Sequence, residues 1–365
     1  MAVYKHKPIP LPTIAAGVPP DRNRIYFEDS GALKFTPWVD RFNLVNAWWL
    51  AEAAMAAYEV YDPVLIAAIS GFKEIDLNPV TEAGYVRAAL FKGNTQFLTI
   101  ESKDVLIIAF RGTRLEGFNF PFLPKARAFA PNWGDIVTDA KFLPKVFDDD
   151  PSIFVHLGFY QAFVDIKDGL AVVVDKALNE GRPVWFCGHS LGAALATVAA
   201  DAYRGRIAGL CTFGSPRVGN RSFVERLTEA QTNIWRFVHH RDVVTTVPPP
   251  TPRGFSLKHW ADFFQNQDDR GETGYTHVGE PLYVAGGGDN WQIQSGGAAR
   301  NTLGALAADA FCHAKGIANV LASGFSPIDP QTWPVAWDAL ADHAPIYYAN
   351  KIFNALADDL QGQTV

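Results

Sequence analysis

The 365-residue chain contains no run of about 18 uninterrupted apolar residues, so it offers no transmembrane helix. Its first twenty residues carry Lys5 and Lys7, but prolines follow where a secretory leader would place an apolar core. They do not read as a signal peptide. The expectation is a soluble chain whose location the sequence leaves open. An excess of positive charge is also missing: 32 Lys and Arg stand against 38 Asp and Glu, a formal net charge of -6. That balance gives no basic field for nucleic acid or an anionic membrane surface. Cysteine is scarce, with Cys187, Cys211 and Cys312 odd in number and far apart, which fits neither a disulfide framework nor a metal-ligand pattern. Cys187 and Cys211 lie in apolar runs and read as small core residues.

What is present is a 48% hydrophobic composition, enough to bury a large core, with no break that demands a second domain. Residues 1–365 are therefore read as one α/β domain. Residues 43–58, rich in Ala and Trp with apolar residues on most faces, predict a buried helix. Residues 97–100 and 105–110 are β-branched runs around Ser102-Lys103-Asp104, a hairpin signal. Residues 158–178 space Phe159, Phe163, Ile166, Leu170 and Val174 helically and end near Gly181-Arg182-Pro183. A strand to Cys187, a helix over 193–203, a strand over 207–213, a short helix over 222–229 and strands over 234–238 and 281–284 follow. This order predicts a mostly parallel central sheet covered by helices on both faces. In such sheets the active site lies at the carboxyl ends of the strands.

Gly188-His189-Ser190-Leu191-Gly192 sits between the apolar run 183–187 and the Ala-rich run 193–203. Strand, sharp turn and helix make a nucleophile elbow, with Ser190 at the tip and glycines two residues either side clearing the crowded bend. His189 is expected to point away from the reaction and to serve packing or hydrogen bonding. In the α/β-hydrolase arrangement the acid and the histidine follow the nucleophile in the chain. Asp242 comes a few residues after the strand 234–238, where a catalytic acid belongs. Asp201 rides the helix after the elbow and reads as a solvated charge. Of the later histidines, His259 lies in an aromatic loop and His313 on an amphipathic helix expected over 303–321. His277 precedes the strand 281–284 and competes for the role of base. His343, on a loop entering the last helix, is preferred because a loop histidine can reach the serine.

Five patches in order resemble the class 3 lipases, an α/β-hydrolase family that includes filamentous-fungal triacylglycerol lipases. They are Ala109-Phe110-Arg111-Gly112-Thr113, Val155-His156-Leu157-Gly158-Phe159, the elbow, Thr212-Phe213-Gly214-Ser215-Pro216-Arg217-Val218-Gly219-Asn220, and residues 239–242 before a proline run. The likeness spans residues 40–355. It implies an α/β-hydrolase fold with a lid-like insertion and a triad of Ser190, Asp242 and His343, and it removes His277 from the role of base.

An oxyanion needs two preorganised donors. The amide of Leu191 is one by its place after the nucleophile, and the resemblance implies the amide of Thr113 as the other. Arg111 is expected to pin its loop through carboxylates. Such acyl transfer calls for neither metal nor organic cofactor. Residues 114–131 carry Phe118, Phe120, Phe122 and Leu123 beside the oxyanion hole and read as a lid or acyl-chain wall. The family places a short lid helix there; this insertion is longer and holds Pro121 and Pro124. Residues 286–337 are either a second cover over the site or an interaction surface. The expected substrate is a lipid ester, met at a lipid–water interface. A short-chain or feruloyl-type esterase, a phospholipase and a non-catalytic lipid-binding scaffold are the alternatives.

Overall fold

Leu106, Ile107, Ile108, Ala109 and Phe110 are apolar without interruption and all five are buried, which requires cover on both faces of the strand they form. The computed structural model describes residues 4–10, 24–59, 86–92, 95–112, 143–239, 242–246, 248, 274–287, 290–296 and 343–362. In chain order the described elements begin with helix α1 (Leu44–Ala56) and a 3-10 turn (Ala57–Glu59). Strands β1 (Val86–Lys92), β2 (Thr95–Glu101) and β3 (Leu106–Phe110) come next. A small hairpin, β4 (Pro144–Val146) and β5 (Phe154–His156), precedes helix α2 (Leu157–Asn179). Then follow β6 (Val184–His189), α3 (Leu191–Ala202), β7 (Gly209–Phe213), α4 (Arg221–Ala230) and β8 (Ile234–Val238). The 3-10 turn Val243–Thr246, the hairpin β9 (Pro281–Gly287) with β10 (Asn290–Ser295), and α5 (Pro345–Gly362) complete the set.

Among the described residues, eight strands form one sheet in the order β1-β2-β3-β6-β7-β8-β9-β10. The run from β3 through β9 is parallel, and β1, β2 and β10 attach antiparallel at the flanks. This is the mostly parallel α/β sheet expected. The two-residue period of β6 sorts its side chains: Trp185 and Cys187 face one apolar layer, Val184 and Phe186 the other. The first layer is filled by α1, α5 and residues 26–35, including Trp48, Trp49 and Ile352; the second by α2, α3 and α4. Small side chains decide how close α3 comes. Ala193, Ala194, Ala196, Ala199 and Ala200 are all fully buried, so the helix behind the elbow sits tight on the sheet.

Residues 4–10 run antiparallel along α5. Tyr347 donates to Pro10 O (3.0 Å), Asn350 to Pro8 O (2.7 Å) and Gln361 to Tyr4 O (3.0 Å). Asn354 accepts from Lys7 N and donates to Lys7 O, and Asp358 pairs with His6 at 2.6 Å. Steps of three or four residues place these side chains on one face of the helix. The strap is thus read through its backbone, and Ile9 packs beside Ala344 and Tyr347.

One expectation needs correction. Asp201 is 3% exposed and not a solvated charge: Arg226 grips it with Nε at 2.9 Å and Nη2 at 2.5 Å, and Arg204 lies 3.8 Å away. A buried carboxylate on α3 is tolerable because α4 brings it a fork-shaped partner. Arg111 donates to the side-chain oxygen of Gln96, where the β2–β3 ladder ends by setting Arg111 N against Gln96 O. Of the second cover segment expected over 286–337, residues 286–287 and 290–295 belong to the β9–β10 hairpin of the main sheet. Residues 297–337, the first cover segment 114–131, the helix expected over 303–321, His259, His313 and Cys312 lie outside the described residues.

Burial fixes how the protein responds to acid. His156, 8% exposed, caps α2 by accepting from Gly158 N, and desolvation lowers its pKa to about 4. The unfolded chain then binds a proton between about pH 6.5 and 4 that the folded chain refuses. Stability is complete above pH 6.5 and falls by up to about 3 kcal/mol on this account as pH drops toward 4. His156→Asn keeps a capping oxygen and loses the titration. Urea unfolding of both proteins at pH 7 and pH 4.5 should show a smaller acid loss in the variant; equal losses would assign the effect elsewhere.

Candidate active site

The end of β6 turns into α3 with almost no space. A Cβ on Gly188 would lie 2.3 Å from the backbone of Gly192, and one on Gly192 would lie 2.0 Å from Phe110 O. Both glycines are therefore dictated by sterics. Between them Ser190 adopts φ 62°, ψ -129°, a strained conformation for a residue with a side chain. Its N–H donates to Phe213 O on β7 (3.0 Å), and its carbonyl accepts from Ala193 and Ala194 as α3 begins. The Ser190 hydroxyl is buried and makes no hydrogen bond to a described residue. Leu191 is the first residue of α3, so its N–H is among those with no partner within the helix. The positive end of the helix dipole lies at the same point.

Asp242 follows β8 and is 3% exposed; His343 directly precedes the first turn leading into α5 and is 7% exposed. The two residues, 101 apart in sequence, meet through His343 Nδ1, which is 2.8 Å from both Asp242 carboxylate oxygens. A carboxylate only accepts, so Nδ1 carries a proton, and in the neutral ring Nε2 then keeps its lone pair. Asp242 also accepts from Val244 N (2.9 Å) and from the Tyr348 hydroxyl (2.6 Å), which in turn accepts from His239 N (3.0 Å). Gly214, at φ 57° just after β7, makes the space for this pair: a Cβ there would lie 2.5 Å from Asp242 Oδ2 and 3.0 Å from His343.

His277 is held elsewhere. Its Nε2 donates to Thr245 O at 2.8 Å, and desolvation, reinforced by Arg236 and Arg217, pushes its pKa well down. Thr113, Phe118, Phe120, Phe122 and Leu123 lie outside the described residues. The turn leading to Thr113 does run against the elbow, since a Cβ on Gly112 would lie 2.6 Å from His189 O. Among the described residues no group of three His, Cys, Asp or Glu side chains could hold a metal, and no helix is long and apolar enough to cross a membrane. Sequence reasoning missed Gly214 and Tyr348. Gly214 lies in the fourth patch, next to Phe213, whereas Tyr348 lies in none of the five, five residues after His343.

A strained serine between a parallel strand and a buried helix, with an Asp–His pair following it in the chain, is the arrangement of the α/β-hydrolase fold. Residues 128–251 match the family model described as Lipase (class 3). Secreted mono- and diacylglycerol lipase 1 of Fusarium solani is 35% identical over 137 residues, 36% of this chain and 40% of that protein. Toxin TseL of Vibrio cholerae is 35% identical over 122 residues, 31% of this chain and 18% of that protein. The matches thus span two fifths or less of these relatives' length. A crystal structure of lipase from Rhizopus microsporus var. chinensis superposes with a TM-score of 0.47 at 23% identity, covering 69% of this chain and 77% of that one.

Proposed function

We propose that residues 1–365 act as one catalytic domain, a serine hydrolase that cleaves carboxylic esters of lipids through an acyl-serine. The observation that carries this reading is the buried His343–Asp242 pair beside the strained Ser190 elbow. His343 Nε2 takes the Ser190 proton as Oγ attacks the ester carbonyl. The oxyanion is received by the amides of Leu191 and Thr113. Collapse expels the alcohol, which takes the proton from His343. Water, deprotonated by His343, then attacks the acyl-serine, and its breakdown releases the acid and restores the serine. Asp242 holds the imidazole tautomer and offsets the imidazolium charge throughout. The Ser190–His343 hydrogen bond closes when substrate binds, as such bonds tighten on passing from the free enzyme to the complex.

Phe118, Phe120, Phe122 and Leu123, in the segment 114–131 that follows Thr113, supply the acyl-chain wall. The relative named for mono- and diacylglycerol hydrolysis supports a glycerolipid ester, met at a lipid–water interface. Turnover should be measured on p-nitrophenyl esters of increasing acyl length, on emulsified mono-, di- and triacylglycerols and on a phospholipid. The reading predicts higher kcat/KM for long acyl chains and cleavage of at least one glycerolipid. Activity confined to short or aromatic esters would make the protein an esterase of a different pocket, and no turnover of any ester would leave a binding scaffold.

A further inference from the structure

His189 lies at the end of β6, beside the nucleophile, yet the reaction derived above does not use it. It is 2% exposed, and every polar atom of its ring is engaged. Nε2 lies 2.6 Å from the backbone carbonyl of His343. A carbonyl only accepts, so Nε2 bears the hydrogen and donates. Nδ1 is then the acceptor, and Tyr58 Oη, 2.7 Å away, donates to it. The tautomer is settled from both sides. Desolvation holds the ring far below its ordinary pKa, so it stays neutral. Its plane also lies against that of His343, with centroids 4.4 Å apart and 34° between planes.

We propose that His189 is a positioning residue for His343, clamping its main-chain carbonyl and backing its ring so that Nδ1 stays on Asp242 while Nε2 is presented to Ser190, and that Tyr58 sets the tautomer that makes the clamp. The inference rests on His343 being the base. The clamp joins three elements that are far apart in sequence: the 3-10 turn after α1, the elbow strand β6, and the turn entering α5. It therefore ties the histidine to the same strand end that carries the nucleophile. A second neutral ring suits that place better than a charged one, because the ring it backs becomes an imidazolium during each transfer. Donation by Tyr58 also polarises the imidazole and strengthens its Nε2–H as a donor.

Two substitutions separate clamping from packing. His189→Gln keeps a side-chain N–H near the position of Nε2 but loses the aromatic ring; His189→Phe keeps the ring and loses the donor. In a buried, apolar setting a packing role favours Phe. The proposal predicts the reverse order: kcat falls roughly 10²-fold in His189→Phe, as expected when a reacting group is misplaced by about an ångström. KM stays unchanged, and His189→Gln recovers part of the loss. Tyr58→Phe, which retains the ring packing, should lower kcat in the same direction. A substrate-free readout accompanies the kinetics: the downfield proton resonance of the His343–Asp242 hydrogen bond should persist in His189→Gln and be lost or broadened in His189→Phe. Equal or higher kcat in His189→Phe than in His189→Gln, or an unchanged resonance in the folded Phe variant, would overturn the proposal. If the unsubstituted protein cleaved no ester while the resonance followed the predicted order, the hydrolase reading would fall and the positioning role would stand.

Discussion

Replacing Ser190 by Ala is expected to lower kcat at least about 10⁴-fold on any ester the protein cleaves, because the covalent route disappears and only oxyanion stabilisation and binding remain. The fold should not suffer. Ser190 Oγ is buried without a hydrogen bond to any described residue, so the substitution removes a polar atom whose desolvation nothing repays. Alanine adopts φ 62° with about the same strain as serine. The unfolding temperature of Ser190→Ala should therefore equal or exceed that of the starting protein while activity vanishes. Side-by-side thermal unfolding and initial rates check this. A parallel loss of stability and activity would mean that the elbow serine is structural.

Asp242→Asn should be nearly as severe, about 10⁴-fold in kcat, through a different route. The Asp242 carboxylate accepts from three donors at once: His343 Nδ1, Val244 N and the Tyr348 hydroxyl. An amide offers one oxygen and one NH2 group in the same volume. If the NH2 faces the ring, His343 must move its proton to Nε2, the atom that has to receive the Ser190 proton. If the oxygen faces the ring, the amide nitrogen confronts one of the other donors. The first arrangement removes the base and the second strains its support. Because both partners are buried, a stability loss of roughly 1–3 kcal/mol should accompany the kinetic loss. Steady-state kinetics and urea unfolding measure the two separately. Near-normal turnover in Asp242→Asn would remove Asp242 from the catalytic machinery.

The parts of this arrangement that local sterics dictate were legible in the sequence. Gly188 is demanded by the backbone of Gly192 within the elbow itself and Gly192 by the backbone of Phe110 on the neighbouring strand, and together they mark the turn around Ser190. The apolar run of β6 and the β-branched runs around Ser102-Lys103-Asp104 are likewise short-range signals, and both elements are where those signals placed them. Contacts between distant segments were not legible. Nothing near Asp201 in sequence hints that Arg226, 25 residues on, will neutralise it, and so a buried ion pair was taken for a surface charge. Tyr58 meets His189 across 131 residues and Tyr348 meets Asp242 across 106. Strands β1 and β10 escaped notice for a related reason. Their pairing with β2 and β9 defines them, whereas the Ala-rich sequence of β1 and the Gly-rich approach to β10 carry weak strand signals of their own.

The central claim is that Ser190 is the nucleophile activated by the His343–Asp242 pair. Mass spectrometry of the intact chain after exposure to an alkylphosphonate ester tests it most directly. The account predicts one phosphonyl adduct, located on Ser190, absent from Ser190→Ala and much slower to form in His343→Ala. No adduct, or labelling that persists in Ser190→Ala, would contradict it.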